Sequence, residues 1–280
     1  MSRESSPTPG SGREEDRSAV RHSLSLHLEG LRTWKVDRIF GEPVVIPRSP
    51  ASAEEPSRRS LEARTTTAEP PRPSAVPPAP PIGPGENPPI DPAELLAAVA
   101  REAEACRRCR LGGERNRCVP GAGDPRAPLL FVGEAPGREE DRRGEPFVGA
   151  AGQLLDRIVG ALGFRREEVF IANTLKCRPP NNRDPLPDEW GACSPFLERQ
   201  VAALSPRMIV ALGRAAARLL TGRDEPLGRL RGGKHAYHGI PVIVTYHPAY
   251  LLREPSAKRD CWQDLQPVVQ EFGRPPLPQE

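Results

Sequence analysis

Apolar positions are spread unevenly along the chain. Before residue 90 they concentrate only in residues 24–46, as Leu24, Leu26, Leu28, Leu31, Trp34, Ile39 and Phe40, between stretches rich in Ser, Arg, Glu and Pro. Beyond that point, short apolar runs alternate with segments of helical rhythm. Asp91-Pro92 supplies an N-cap followed by proline at the first helical position, and ELLAAVAREAEAC continues a helix from it. PLLFVGEAPG is an apolar run ending in a Gly/Pro loop, the pattern of a buried strand that opens onto a functional turn. The same reading predicts a helix over Ala151–Gly163, a strand over Glu168–Asn173 and a helix over Pro187–Leu204. It then predicts a strand over Arg207–Gly213, a short helix from Gly213 to Leu220, a strand over Ile240–Pro248 and a last helix over Ala257–Phe272.

Strands separated by helices imply crossover connections and a parallel sheet covered on both faces. The expected fold is therefore a three-layer α/β/α sandwich with a four-stranded parallel central sheet. Ligands of such sheets bind beyond the carboxyl ends of the strands. Three strand ends carry chemistry there: GEAPG after the first, Asn173 at the end of the second, and Tyr246-His247-Pro248 after the fourth. An acid, an amide and an imidazole would converge on one crevice.

Composition divides the chain. Sixteen of the 36 prolines fall in residues 1–90, among few large apolar side chains. Such a stretch buries too little apolar surface to offset the entropy of ordering it, so residues 1–90 are expected to be disordered, with a stiff extended linker at Pro70–Pro89. The apolar island at 24–46 is either residual content or a segment that folds against a repair or replication factor. Residues 91–273 form the expected enzymatic domain and residues 274–280 a disordered tail.

The net charge of +3 is small and compatible with nucleic acid without indicating it. No apolar run is long enough to span a bilayer, and MSRESSPTPGSGREED lacks the apolar core of a secretory signal. The expectation is a cytoplasmic, nucleoid-associated monomer, in which six cysteines are ligands or free thiols rather than disulfides. Cys106 and Cys109 form C-x2-C, which aims two thiolates at one centre, and Cys177 and Cys193 follow. Spacing alone leaves zinc and an iron–sulfur cluster equally open. Cys118 and Cys261 read as ordinary free thiols.

The pieces CRRCRL, VGEAPGREEDRRGEPFVGAAGQLL, NTLKCRPPNNRDPLPDEWGAC and YHPAYLLR, in that order from about Ala93 to Val269, resemble the family four uracil-DNA glycosylases. That family is the iron–sulfur branch of its superfamily. The resemblance implies a 4Fe–4S cluster held by Cys106, Cys109, Cys177 and Cys193, and removal of uracil from DNA by cleavage of the N-glycosidic bond. It also assigns roles. Phe147 would stack on the flipped base, and Asn173 would read uracil O4 and N3–H. His247 would donate to O2, aided by backbone amides in the Gly133-Glu134-Ala135 turn. Glu134 would orient water or steady the positive sugar, and Glu140 would exclude the thymine methyl group. Leu251 or Leu252 would fill the gap left in the duplex, with Arg253, Lys234 and Arg178 at phosphates and Arg183 also offered to DNA. A trapping protein without turnover is disfavoured, because no histidine lies between Lys176 and Cys193. An electron carrier gives the acid, amide and imidazole no purpose. A glycosylase of broader base specificity remains open.

Overall fold

A computed structural model describes residues 91–278. The expected disorder of residues 1–90, the island at 24–46 and the linker at Pro70–Pro89 lie outside the described residues.

The first helix, α1 (Pro92–Ala105), starts as its sequence dictates: the Asp91 carboxylate accepts from the Ala93 amide at 3.1 Å, with proline in the first turn. The chain then forms β1 (Ala122–Gly123), β2 (Leu129–Gly133), α2 (Arg138–Arg143), α3 (Ala150–Ala161) and β3 (Phe170–Asn173). After these come α4 (Pro187–Leu204), β4 (Met208–Leu212), α5 (Arg214–Thr221), β5 (His235–Tyr237) and β6 (Ile240–Thr245). The fold closes with α6 (Pro248–Arg253), α7 (Lys258–Asp264) and α8 (Gln266–Phe272).

The strands make one sheet in the order β1-β3-β2-β4-β6-β5. The α/β class stands, but the expected four-stranded, wholly parallel sheet does not. The sheet is six-stranded and mixed, because β1 pairs antiparallel to β3 and β5 antiparallel to β6. Both added strands are too short to print an alternation. Strand β5 returns through a two-residue turn at His238-Gly239, where φ is +49° and +82°; a hairpin turn of this length favours positive φ at both positions. The expected single last helix is also two. Pro267 lacks the amide that would continue α7, so the helix breaks around Leu265.

Strand β2 is buried along its whole length, as a parallel strand covered on both faces must be. Leu129 and Phe131 face one apolar cluster with Leu155 and Ile158 of α3 and Trp262 of α7. Leu130 and Val132 face the other, with Leu197 and Val201 of α4 and Ala216 and Leu220 of α5. The alternation gives each side of the sheet its own helical layer. Residues 274–277, expected to be a loose tail, lie against the domain. Arg274 pairs with Glu168 and stacks over Phe164, and the Leu277 amide donates to the Gly160 carbonyl at 2.8 Å.

Phe131 is fully buried in the central strand. Phe131→Ala is expected to lower unfolding stability by about 3–5 kcal/mol through lost burial and the cavity left behind. A shift in the denaturant midpoint of the purified protein checks it.

Candidate functional site

Strand β3 lies on one side of β2 and β4 on the other, so the topological switch point falls at the end of β2. There the parallel register sets Gly133 opposite Asn173. The pairing continues past the strands: Thr174 donates to the Gly133 carbonyl at 2.9 Å and Leu175 to the Glu134 carbonyl at 3.0 Å. Gly133 has to be glycine. A Cβ there would lie 2.6 Å from Phe147 Cζ and would collide with Asn173 Oδ1.

A cavity of about 430 Å³ opens over this point, and Glu134, Ala135, Glu140, Phe147, Asn173, His247 and Arg253 line it. Phe147 is buried with φ at +53°, a backbone state that a phenylalanine rarely adopts. Its carbonyl packs against the bare Cα of Gly152, where a side chain would displace the loop. The Phe147 and His247 rings lie 5.5 Å apart between centroids. Glu140 lines the cavity, and its Oε1 also accepts from the Val148 and Gly149 amides at 2.9 Å each, tying the phenylalanine loop to the start of α3.

Asn173 is buried, and its Oδ1 has no hydrogen-bond partner among the described residues. The Asn173 backbone carbonyl is held from below by Lys176, whose buried Nζ donates to it at 2.8 Å and to Gln200 Oε1 at 2.6 Å. His247 caps α6: its Nδ1 accepts from the Ala249 amide at 3.1 Å. That bond occupies Nδ1 as an acceptor, so the proton of the neutral ring sits on Nε2. Burial, assisted by the positive charge of Arg253, pushes the imidazole down to about 4, so the ring is neutral at ordinary pH. Burial raises the Glu134 carboxyl, and the nearby Asp184 charge adds to the effect.

Two expected DNA contacts are engaged elsewhere, at Leu251 and Arg183. Leu251 is fully buried in the core (0 %) and has no face to offer DNA, whereas Leu252 on the same helix is 43 % exposed. Arg183 is engaged by Glu189, at 2.8 Å and 2.5 Å, rather than free. Arg178 and Lys234 do not line the cavity, and Arg178 donates to Asn182 at 2.7 Å. The pattern reading missed Pro179, Asn182 and Tyr250 as cavity walls. The first two lie in a loop without periodicity, and Tyr250 is visible only as an exposed aromatic stacked on Tyr246 at 5.0 Å.

A third apolar cluster holds Val99, Ala103, Leu111, Cys118, Leu175, Cys177, Cys193 and Phe196, with Cys106 and Cys109 packed against it. Cys106, Cys109, Cys177 and Cys193 line one small cavity with Arg115 and Lys176. The Arg108 amide donates to Cys106 Sγ at 3.5 Å, Arg115 to Cys177 Sγ at 2.9 Å and the Lys176 amide to Cys193 Sγ at 3.2 Å. Four sulfurs, three of them with donors and two cationic side chains beside them, suit an anionic thiolate centre. Among the described residues, no three His, Cys, Asp or Glu side chains gather as a single-ion site. Cys118 and Cys261 are buried, and burial pushes each thiol up to about 12.

Fold and site together define an α/β protein with a cavity at its switch point and a four-cysteine cage beside it. The profile of the Uracil DNA glycosylase superfamily matches residues 120–266. A type-4 uracil-DNA glycosylase of Archaeoglobus fulgidus is 42% identical over 189 residues, which span 65% of this chain and 95% of that protein. One of Saccharolobus solfataricus is 41% identical over 191 residues, or 65% and 88% of the two chains. A type-5 uracil-DNA glycosylase of Thermus thermophilus is 36% identical over 151 residues, or 47% and 68%. This chain belongs to the uracil DNA glycosylase superfamily, in its type-4 branch.

The His247 ring is expected to remain neutral, as the Nε2–H tautomer, from pH 8 to about pH 5, against an ordinary midpoint near 6.5. Imidazole nitrogen shifts in a histidine-labelled sample would read this directly, and a midpoint above 6 would contradict the burial argument.

Proposed function

We propose that this protein is a uracil-DNA glycosylase of base excision repair, which takes a flipped-out uracil into the cavity and hydrolyses its N-glycosidic bond to leave an abasic site. The observation that carries the reading is the buried Oδ1 of Asn173, unpartnered among the described residues, in a cavity whose walls also supply a ring, an imidazole N–H and a carboxylate. An acceptor left buried without a partner costs about 1–3 kcal/mol, and the N3–H of uracil relieves that cost. Cytosine has no proton at N3, so it leaves the acceptor unpaired, and its amino group meets the Asn173 amide donor where uracil O4 would accept.

Flipping costs a few kcal/mol, least for a mismatched base, and stacking on Phe147 offsets part of it. As the bond breaks, negative charge builds on uracil O2 and positive character on the sugar. The Nε2–H of His247 donates to that oxygen, together with the Glu134 and Ala135 amides, in the manner of an oxyanion hole. A neutral imidazole gives this bond without protonating the base. Glu134 supplies the negative charge that orients the attacking water and steadies the sugar cation. Glu140 excludes the methyl group of thymine. Leu252, rather than Leu251, takes the place of the extruded nucleotide, and Arg253, Arg178 and Lys234 meet phosphates.

Cys106, Cys109, Cys177 and Cys193 would hold a 4Fe–4S cluster, with residues 91–273 as the catalytic domain. When bound, such a cluster supplies a cross-link between the end of α1, the loop after β3 and α4, and takes no part in the hydrolysis. Cys106→Ala is expected to abolish stoichiometric iron and its brown absorbance, read by metal analysis of the purified protein.

The decisive assay is cleavage of a labelled oligonucleotide containing one uracil. His247→Ala and Asn173→Ala are each expected to slow it by about 10²–10³, with cytosine and thymine controls intact. Iron-loaded wild type that leaves uracil untouched would sink the proposal.

A further inference from the structure

Glu189 is fully buried in α4, one turn before Cys193. Its carboxylate accepts from Arg110 Nε at 3.1 Å, Arg183 Nη1 at 2.8 Å, Arg183 Nη2 at 2.5 Å and the Leu186 amide at 2.9 Å. A buried carboxylate persists only when it is fully paired, and here four donated hydrogen bonds meet it. The Arg183 guanidinium beside it, with the Leu186 amide and Arg110, holds the carboxyl down to about 2. Its charge is therefore present at any working pH.

The two arginines lead in different directions. Arg110 follows Cys109 in the chain and so belongs to the cysteine cage. Arg183 lines the base cavity with Pro179 and Asn182. The segment is a tight turn: Asn181 and Asn182 both have φ near +54°, a state asparagine tolerates, and the Asn182 and Arg183 amides donate to the Pro179 and Pro180 carbonyls at 3.0 and 3.2 Å. Those bonds shape the turn but do not place it, and the two-pronged Arg183–Glu189 pair ties it to α4.

We propose that Glu189 is a positioning residue for the base cavity: its charge fixes Arg183, and with it the Pro179–Arg183 wall, to the segments that carry Cys109 and Cys193. The proposal rests on reading that cavity as the uracil site. It gives Arg183 an internal task in place of a free phosphate contact, and it adds to the chain link from Cys177 a second tie between the cavity wall and the cage, made by one carboxylate.

The test is steady-state cleavage of a uracil oligonucleotide by cluster-loaded full-length variants, with iron per chain measured on each. Glu189→Gln is expected to raise KM about fivefold or more with iron content unchanged, a shift that a reduced active fraction does not produce. Arg183→Met should raise KM alike, and the double variant, which leaves no buried charge unpaired, should be no worse than either single change within about twofold. Arg110→Met keeps the Arg183 pair and should leave KM within about twofold of wild type. Amide exchange over residues 181–186 reads the same wall without substrate, and protection should fall about tenfold or more in Glu189→Gln. An unchanged KM and unchanged exchange in Glu189→Gln would overturn the proposal, as would additive single effects. Loss of iron in Glu189→Gln would also overturn it, by making the residue a support of the cage alone. Failure of wild type to cleave uracil, with exchange still loosened in the variant, would strike the uracil reading and leave the anchoring intact.

Discussion

The register between β2 and β3 sets Gly133 opposite Asn173, and the site depends on that one alignment. A parallel pair offset by one residue would turn the Asn173 side chain to the other face of the sheet. The bare Cα of Gly133 then lets the asparagine amide and the Phe147 ring crowd against the end of β2. Backbone bonds from Thr174 and Leu175 to the Gly133 and Glu134 carbonyls extend the alignment beyond the strands, so the amide and the acid share one rigid frame. Lys176 adds a buried ammonium beneath the Asn173 carbonyl, which fixes the backbone from which the side chain projects.

Desolvation does most of the electrostatic work in the cavity. Burial raises the Glu134 carboxyl and lowers the His247 imidazole, each towards its uncharged form. The cap bond from Ala249 then selects the tautomer, so helix α6 sets both the position of the ring and the nitrogen that carries its proton. The same helix buries Leu251 and exposes Leu252, which follows from helical geometry: successive residues point about 100° apart. One short helix thus orients the imidazole, anchors itself in the core and presents an apolar side chain outward.

The cysteine cage lies beside the cavity and shares structure with it. Lys176 gives its amide to Cys193 Sγ and its ammonium to the Asn173 carbonyl, while Glu189 joins Arg110 near Cys109 to Arg183 in the cavity wall. Two buried charged side chains therefore bridge the regions, and buried charges of this kind hold only in well-defined geometry. A cross-link through the four cysteines would stiffen the segments to which both bridges attach.

Much of this was legible in the chain itself. Apolar runs located all four long strands, Asp91-Pro92 and Pro187 marked helix starts to the residue, and the three strand-end motifs named the acid, the amide and the imidazole. These are local signals, since periodicity, caps and loop chemistry depend on near neighbours. Strands β1 and β5 were not legible, because two or three residues carry no period and exist only through pairing with β3 and β6. The break at Pro267 was written in the sequence and overridden by the apolar rhythm around it. Tertiary structure alone decided that Leu251 is core and Leu252 is surface, that Arg183 serves Glu189, and that Asn173 Oδ1 has no partner among the described residues. Each of these is settled by what packs against a side chain from distant segments, and residue type and spacing carry no record of that.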